Sequence, residues 1–150
     1  MEYICGVTFA PFACAGAFKK SGAKESLAMM KERTGADFVI FVPGGLQETP
    51  QSEEICYTSK ATMEDDELID MIGYAKEIEL RVALKPTVNC KNGTWRAHIN
   101  FFDEDVPCEP KWGNWFTSYT AFQLHYAKIA EQYGCEMFIA GCEMVMSEHR

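Results

Sequence analysis

Short apolar segments alternate along this chain with longer segments of helical periodicity. The segment Asp37–Val42 is continuously apolar, which is typical of a parallel strand that is covered on both faces. Strands that alternate with helices must be joined by right-handed crossovers and therefore form a parallel sheet. We predict strands at Tyr3–Phe9, Asp37–Val42, Arg81–Leu84 and Cys135–Glu143, and helices at Gly22–Arg33, Thr62–Ile78 and Trp112–Tyr133.

The length of the chain limits what this alternation can build. With 150 residues the chain is predicted to be one domain, residues 1–150. A complete (β/α)₈ barrel needs about 250 residues, and about 200 at the least. We therefore predict an α/β fold of half a barrel, with four parallel strands and three helices.

A half-barrel leaves its first and fourth strands unpaired on one side. Such edges invite pairing with another chain. Two copies related by a twofold axis could close an eight-stranded barrel, with the fourth strand of one copy beside the first strand of the other. We therefore expect a homo-oligomer, most simply a dimer.

Two segments, Pro43–Ala61 and Thr87–Lys111, are predicted to be long loops without regular structure. Loops of this length inside a compact domain are uncommon and tend to be functional. The second loop follows the third strand, at the end of the sheet where the fourth strand also ends.

Composition excludes several classes of partner. The net charge of −8 and the pI near 4.9 argue against a nucleic-acid partner, which needs a basic surface. The seven cysteines contain no CxxC pair, so we expect no metal site and no cofactor, and we interpret the cysteines as reduced thiols of a cytoplasmic protein. The sequence shows neither a signal peptide nor a stretch of about 20 apolar residues that would cross a membrane.

Glu143 is the first candidate for chemistry, because it follows the fourth apolar segment directly. In (β/α)₈ barrels, the carboxyl ends of the strands carry the active site. If Glu143 points into the mouth of the barrel, strand alternation points Gly141, Ile139 and Met137 inward with it and leaves Phe138 facing the helices. The alternative is that Glu143 is only a solvated acid in a loop.

The loop after the third strand supplies candidate binding residues. An aromatic ring can stack on the apolar face of a sugar, and planar polar groups can bind its hydroxyls. The alternative is an ordinary ordered loop, with Trp95 packed on the third helix and Lys85 in a salt bridge at the end of its strand. The candidates are Lys85, Asn89, Trp95, Arg96, His98 and Asn100.

The order and spacing of several short motifs resemble clan A glycoside hydrolases, and most closely glycoside hydrolase family 113, the β-mannanase-like barrels. The resemblance covers nearly the whole chain. It rests on Lys85-Pro86-Thr87-Val88, Trp95-Arg96, Trp115-Phe116-Thr117-Ser118-Tyr119, Tyr126-Ala127 and Gly141-Cys142-Glu143-Met144.

The resemblance implies a β-linked oligosaccharide of the mannan, xylan or glucan type as the ligand. It implies that Glu143 is the catalytic acid/base and that Lys85, Trp95 and Arg96 lie near the sugar subsites. The usual asparagine before the acid/base is Cys142 here. The nucleophile of the clan ends the seventh strand, for which this chain has no counterpart.

Two hypotheses about function follow. The chain is either a weakly active glycoside hydrolase or an inactive carbohydrate-binding or self-assembling module. Glycoside hydrolysis needs two carboxyl groups, and only Glu143 is well placed; Asp103, Glu104 and Asp105 in the long third loop are the next acids to consider. For a general acid we expect apolar neighbours such as Met144 to raise the pKa of Glu143.

Overall fold

The computed structural model describes residues 3–10, 15–101 and 109–148, without the side chains of residues 109 and 110. None of the described helices combines the length and the apolarity needed to cross a bilayer. The elements are β1 (Gly6–Phe9), α1 (Ala23–Thr34), β2 (Phe38–Phe41), β3 (Gly44–Gln47), α2 (Asp65–Glu77), β4 (Arg81–Leu84), β5 (Thr87–Cys90), a 3₁₀ turn (Arg96–His98), α3 (Glu109–Gln132) and β6 (Met137–Phe138).

The main sheet contains four parallel strands in the order β1-β2-β4-β6. Each strand is followed by a helix before the next strand of this sheet begins, and α1, α2 and α3 provide these crossovers. This confirms the predicted four parallel strands and three helices. The strands are shorter than predicted, because β1 begins at Gly6 and β6 ends at Phe138.

The helix-facing side of the sheet forms the core. Val39, Phe41, Val82 and Leu84 project from β2 and β4 and are completely buried. They belong to one cluster with Leu68, Met71 and Ile72 of α2 and Phe122 and Tyr126 of α3. Burial of each large apolar side chain is worth about 1.5–3 kcal/mol. This layer therefore fixes the helices against the sheet.

The opposite, inward face of the sheet is covered less evenly. The strand registers place Thr8, Ile40, Ala83 and Met137 in one row across this face. The row is buried at Ala83 in the middle, whereas Thr8 is exposed and Met137 is 40% exposed at the two edges. In a complete barrel, layers of side chains from all strands fill this space.

Two further strands continue the central pair of the sheet. β2 pairs with β4 and β3 pairs with β5, each time between residues 43 positions apart, so that Phe41 lies opposite Leu84 and Gly44 lies opposite Thr87. The two segments predicted to be unstructured loops therefore begin as strands, and that prediction was wrong. Pro43 and Pro86, which follow the predicted ends of these strands, interrupt a pair that keeps one register.

The hydrogen bonds between the two strands continue past the prolines, because only one backbone donor is missing there. Lys85 N donates to Phe41 O (2.9 Å) and Thr87 N donates to Pro43 O (3.0 Å). In this register the missing donor is the N–H that Pro43 does not have, and it would bind the Lys85 carbonyl. The Thr87 hydroxyl donates to that carbonyl instead (3.1 Å).

The β3–β5 ribbon is held against α3. A Cβ atom on Gly45 would lie 2.6 Å from Ile55 and 2.9 Å from Phe122, so only glycine allows this approach. The buried Trp115 donates its indole N–H to Gln47 Oε1 (3.0 Å). α3 begins three residues earlier than predicted. The helical spacing of Trp115, Phe122 and Tyr126 in the sequence predicts that they share one buried face, and all three are buried.

A buried carboxylate joins the segment after β1 to the start of α2. Glu67 is 2% exposed and accepts hydrogen bonds from the backbone N–H groups of Gly16, Phe18 and Glu64, each at 2.9 Å. α2 therefore begins at Asp65, with Glu64 rather than Thr62 in the preceding position. Three charge-assisted bonds to one buried group are a strong local constraint.

We predict that Glu67→Gln lowers the free energy of unfolding by about 2 kcal/mol, since the new amide turns a donor toward backbone N–H groups that need an acceptor. Urea-induced unfolding followed by circular dichroism measures the change. Glu77→Gln, at the exposed end of the same helix, is the matched control and should change stability by less than about 0.5 kcal/mol. Equal effects of the two substitutions would contradict this role of Glu67.

Candidate active site

A cavity of about 540 Å³ opens at the carboxyl ends of the parallel strands. Its walls come from the strand ends, the β3–β5 ribbon, the segment before α2 and the segment after β6. We call it the cleft. It is lined by Thr8, Ala10, Val42, Gly44, Leu46, Ala61, Thr62, Met63, Lys85, Thr87, Asn89, Arg96, Cys142 and Glu143.

Glu143 lies in a bend after β6, not at the end of a regular strand. β6 ends at Phe138, and Glu143 has a φ of 58°, in the left-handed region that a residue with a side chain seldom adopts. Phe138 packs toward the helices, as predicted, but strand alternation does not extend to Glu143. The local turn directs the carboxylate, and such strained backbone is frequent at functional sites.

The bend is held by contacts on both sides of Glu143. The Met144 side chain is buried in the core. Met146 N donates to Ala97 O (3.2 Å), which attaches the bend to the 3₁₀ turn after β5. That turn also contains Arg96, so the backbone that carries Glu143 is attached directly to the backbone that carries Arg96.

Arg96 joins β5 to Glu143 through its guanidinium group. Its Nε donates to Val88 O (2.8 Å), its Nη2 donates to Asn89 Oδ1 (2.6 Å), and its Nη1 donates to Glu143 Oε2. The indole N–H of Trp95 donates to the same carboxylate oxygen (3.0 Å). One oxygen of Glu143 therefore receives two donors from adjacent residues.

These donors stabilise the ionised form of the Glu143 carboxylate. The hydrogen bond from Trp95 lowers the pKa of Glu143 below its ordinary value of 4.5, and Arg96 and the charge of Lys85 add to this effect. The side chain is 49% exposed, so its desolvation is a weaker, opposing influence. The expectation that Met144 raises this pKa was wrong, because Met144 turns into the core while the carboxylate faces cationic and N–H groups.

Lys85 lines the cleft between β4 and β5. No hydrogen bond or ion pair joins its ammonium group to another residue in the described ranges, so the salt bridge considered as an alternative is not found there. Its half-buried side chain leaves a positive charge in the cleft. Such a group can donate hydrogen bonds to ligand hydroxyls.

The remaining candidates occupy different places. Trp95 is 53% exposed and stands edge-on to His98, with ring centroids 5.9 Å apart, so it is not buried against α3. His98 is exposed, Asn100 is buried, and neither lines the cleft. The structure thus brings together Lys85, Asn89, Arg96 and Glu143, with Trp95 in contact.

Sequence reasoning missed the threonines that line the cleft, Thr8, Thr62 and Thr87. A polar residue within an otherwise apolar strand, such as Thr8 in Val7-Thr8-Phe9, is the signal that could have identified one of them. Such a hydroxyl next to the site can bind a polar ligand.

Among the described residues that line the cleft, Glu143 is the one acid. Asp103, Glu104 and Asp105 lie outside the described residues. Within the described ranges, no three His, Cys, Asp or Glu side chains come together as a group that could hold a metal ion.

Comparisons with known proteins relate the chain to one family of glycoside hydrolases. Residues 7–150 match the model of Glycoside Hydrolase Family 113. Two solved structures of GH113 β-1,4-mannanase, one of them a complex, share 55% identity with the chain at a TM-score of 0.93. A GH113 β-mannanase from Alicyclobacillus acidocaldarius, in complex with ManMIm, shares 37% identity at a TM-score of 0.90. The comparison with curated proteins found no match.

The extent of these matches also confirms the predicted fold. The first two structures are matched over 100% of this chain and 48% of theirs, and the third over 99% and 47%. The chain therefore has the fold of half of a (β/α)₈ barrel and spans about half the length of these enzymes. It belongs to glycoside hydrolase family 113.

Proposed function

We propose that this chain carries the acid/base half of a glycoside hydrolase active site for β-linked oligosaccharides of the mannan type. The observation that supports the proposal best is the arrangement of Glu143 with Arg96, Trp95 and Lys85 around one cleft at the carboxyl ends of parallel strands. The mannan class comes from the GH113 β-mannanases that the chain resembles.

In this proposal Glu143 exchanges a proton with the glycosidic oxygen. Lys85 donates to sugar hydroxyls, and the exposed ring of Trp95 offers a face for stacking. Arg96 has five N–H donors and uses three of them in the bonds described above, which leaves two for a ligand. His98 extends the polar rim beside Trp95.

The catalytic power of the chain by itself should be low. Retaining glycosidases place two carboxyl groups about 5 Å apart, and inverting ones about 6.5–9.5 Å apart, whereas the described lining of the cleft offers one. We therefore expect a turnover far below the value of about 10 per second that is ordinary for enzymes. An ordinary turnover from protein free of host glycosidases would point to Asp103, Glu104 or Asp105.

A second candidate function is sugar binding without cleavage. Two observations favour it: Glu143 is the one acid in the described lining, and its pKa is lowered, which keeps it ionised at neutral pH. Binding of mannan oligosaccharides without release of reducing ends would support this candidate, and it needs the same cleft.

We further propose that two copies associate through their open faces. The motivating observations are the incompletely covered inward face and the outer edges of β1 and β6. Symmetric closure would place β4 of the partner where a complete barrel has its seventh strand. β4 is followed by Lys85-Pro86-Thr87-Val88-Asn89, which supplies no acid, so closure alone does not restore a second carboxylate at that strand.

We predict that Glu143→Gln abolishes hydrolysis of mannan oligosaccharides but spares much of the hydrolysis of aryl mannosides with good leaving groups, which need little acid assistance. The loss on the poor leaving groups should be about 10²–10⁴-fold. Steady-state kinetics on both substrate classes measures it. Glu148→Gln, an exposed acid in the same segment, is the matched control, and a parallel loss in both substrate classes would exclude the acid role.

We predict that Trp95→Phe moves the alkaline limb of the pH–rate profile upward. Phenylalanine keeps an aromatic face but removes the N–H that lowers the pKa of Glu143, so the acid holds its proton to a higher pH. The shift should be several tenths of a pH unit, up to about one. His98→Leu, which removes the ring neighbour and keeps the N–H, should leave the limb unchanged; an unchanged limb in Trp95→Phe would refute the prediction.

We predict that the chain sediments as a dimer or larger oligomer at micromolar concentration, and that Met137→Lys converts it to a monomer. A charge at this position makes burial of the inward row costly. Met29→Lys, on the exposed side of α1, should leave the assembly intact. A stable monomeric parent that binds no hydrophobic dye would contradict association.

A further inference from the structure

The chain of contacts that ends at Glu143 begins at Asn89 in β5. Asn89 is half-buried, and its Oδ1 accepts a hydrogen bond of 2.6 Å from Arg96 Nη2. Arg96 makes three side-chain hydrogen bonds, and two of the acceptors are side chains, Glu143 and Asn89; the third is the backbone carbonyl of Val88. Asn89 is therefore the one anchor of Arg96, apart from Glu143, that a substitution can remove.

The geometry of the guanidinium group gives this contact its importance. Nε and Nη2 point along one edge of the planar group, and both are tied to consecutive residues of β5, Val88 and Asn89. With that edge fixed, Nη1 can point in one direction only, and that direction meets Glu143 Oε2. Loss of the Asn89 anchor leaves this edge held by the Val88 carbonyl alone, so the orientation of the plane is less strictly fixed.

We propose that Asn89 is a positioning residue: by holding the edge of the Arg96 guanidinium group, it fixes the orientation of the Glu143 carboxylate, and this replaces the direct contact with a sugar that the sequence suggested for it. The inference rests on the proposed catalytic role of Glu143.

The surroundings of Glu143 allow the effect to be measured. The charged groups that shift the pKa of its carboxylate are Arg96 and Lys85. Cys142 lines the cleft as well, and Tyr119 and Glu148 line a neighbouring pocket that Glu143 also borders. Trp95 contributes a neutral donor. If Asn89 releases Arg96, the carboxylate loses part of its stabilisation as an anion, whereas Lys85 and Trp95 keep their places.

The test is a titration of the protein without substrate, by NMR of ¹³C-labelled glutamate side chains. The Glu143 signal is identified by its absence in Glu143→Gln. In Asn89→Leu, which keeps the branching of the side chain and removes the acceptor, the midpoint of Glu143 should rise by several tenths of a pH unit, up to about one. Asn89→Asp should raise it as well, because its added charge neutralises Arg96 and repels Glu143.

Asn92→Leu is the matched control. Asn92 lies in the same segment and accepts a bond from Thr94 N (3.0 Å), but it makes no bond to Arg96. It should lower thermal stability slightly and leave the midpoint of Glu143 unchanged. If Asn89 had only a structural role, Asn89→Leu would likewise lower thermal stability and leave the midpoint of Glu143 unchanged.

The outcomes separate this inference from the proposed function. A raised midpoint supports the positioning role even where no hydrolysis is detected. An unchanged midpoint in Asn89→Leu overturns it, whatever Asn89→Asp gives, since the added charge of Asp raises the midpoint by repulsion alone. So does a result in which Asn89→Leu loses mannohexaose binding by calorimetry while the midpoint of Glu143 stays the same, since that would mark Asn89 as a sugar contact.

Discussion

The constant register between β2–β3 and β4–β5 determines the architecture of the site. Because both halves pair residues 43 positions apart, the strands rise together beyond the barrel sheet and form one wall of the cleft. Lys85 sits at the junction and Asn89 on the upper part of that wall. If β3 or β5 were shifted by one residue at the proline that precedes it, every side chain beyond that point would face the other way. Arg96 would then lose its acceptors on β5.

The Glu143 carboxylate is prepared as an anion in this structure. Trp95 and Arg96 both donate to it and thereby stabilise its charged form. A general acid needs the opposite influence, and a nearby second carboxylate is the usual source of it. Under the acid role proposed for Glu143, no second carboxylate that could raise its pKa is found among the described residues that line the cleft.

Sequence reasoning succeeded where one physical pattern dominated. Continuous apolarity identified β2, and the spacing of Trp115, Phe122 and Tyr126 identified the buried face of α3. It failed where the strands were predicted to end at Val42 and Leu84, just before Pro43 and Lys85-Pro86, because pairing continues and the Thr87 hydroxyl compensates for the missing donor. The place of Glu143 directly after the fourth apolar segment predicted that it lies near the carboxyl ends of the strands, but its φ of 58° and its bonds to Trp95 and Arg96 depend on long-range packing that no short pattern reports.

The contact of Gly45 with Ile55 and Phe122 has a consequence for how the specificity of such a cleft can change. Since no side chain fits between the ribbon and α3 at this point, substitution at Gly45 cannot move that wall gradually; it either keeps its position or the packing breaks. The segment before α2 that contributes Ala61, Thr62 and Met63 to the cleft is also packed, since Thr62 and Met63 are buried. A change in the shape of the cleft would therefore have to come from its more exposed lining residues, such as Thr8 and Ala61.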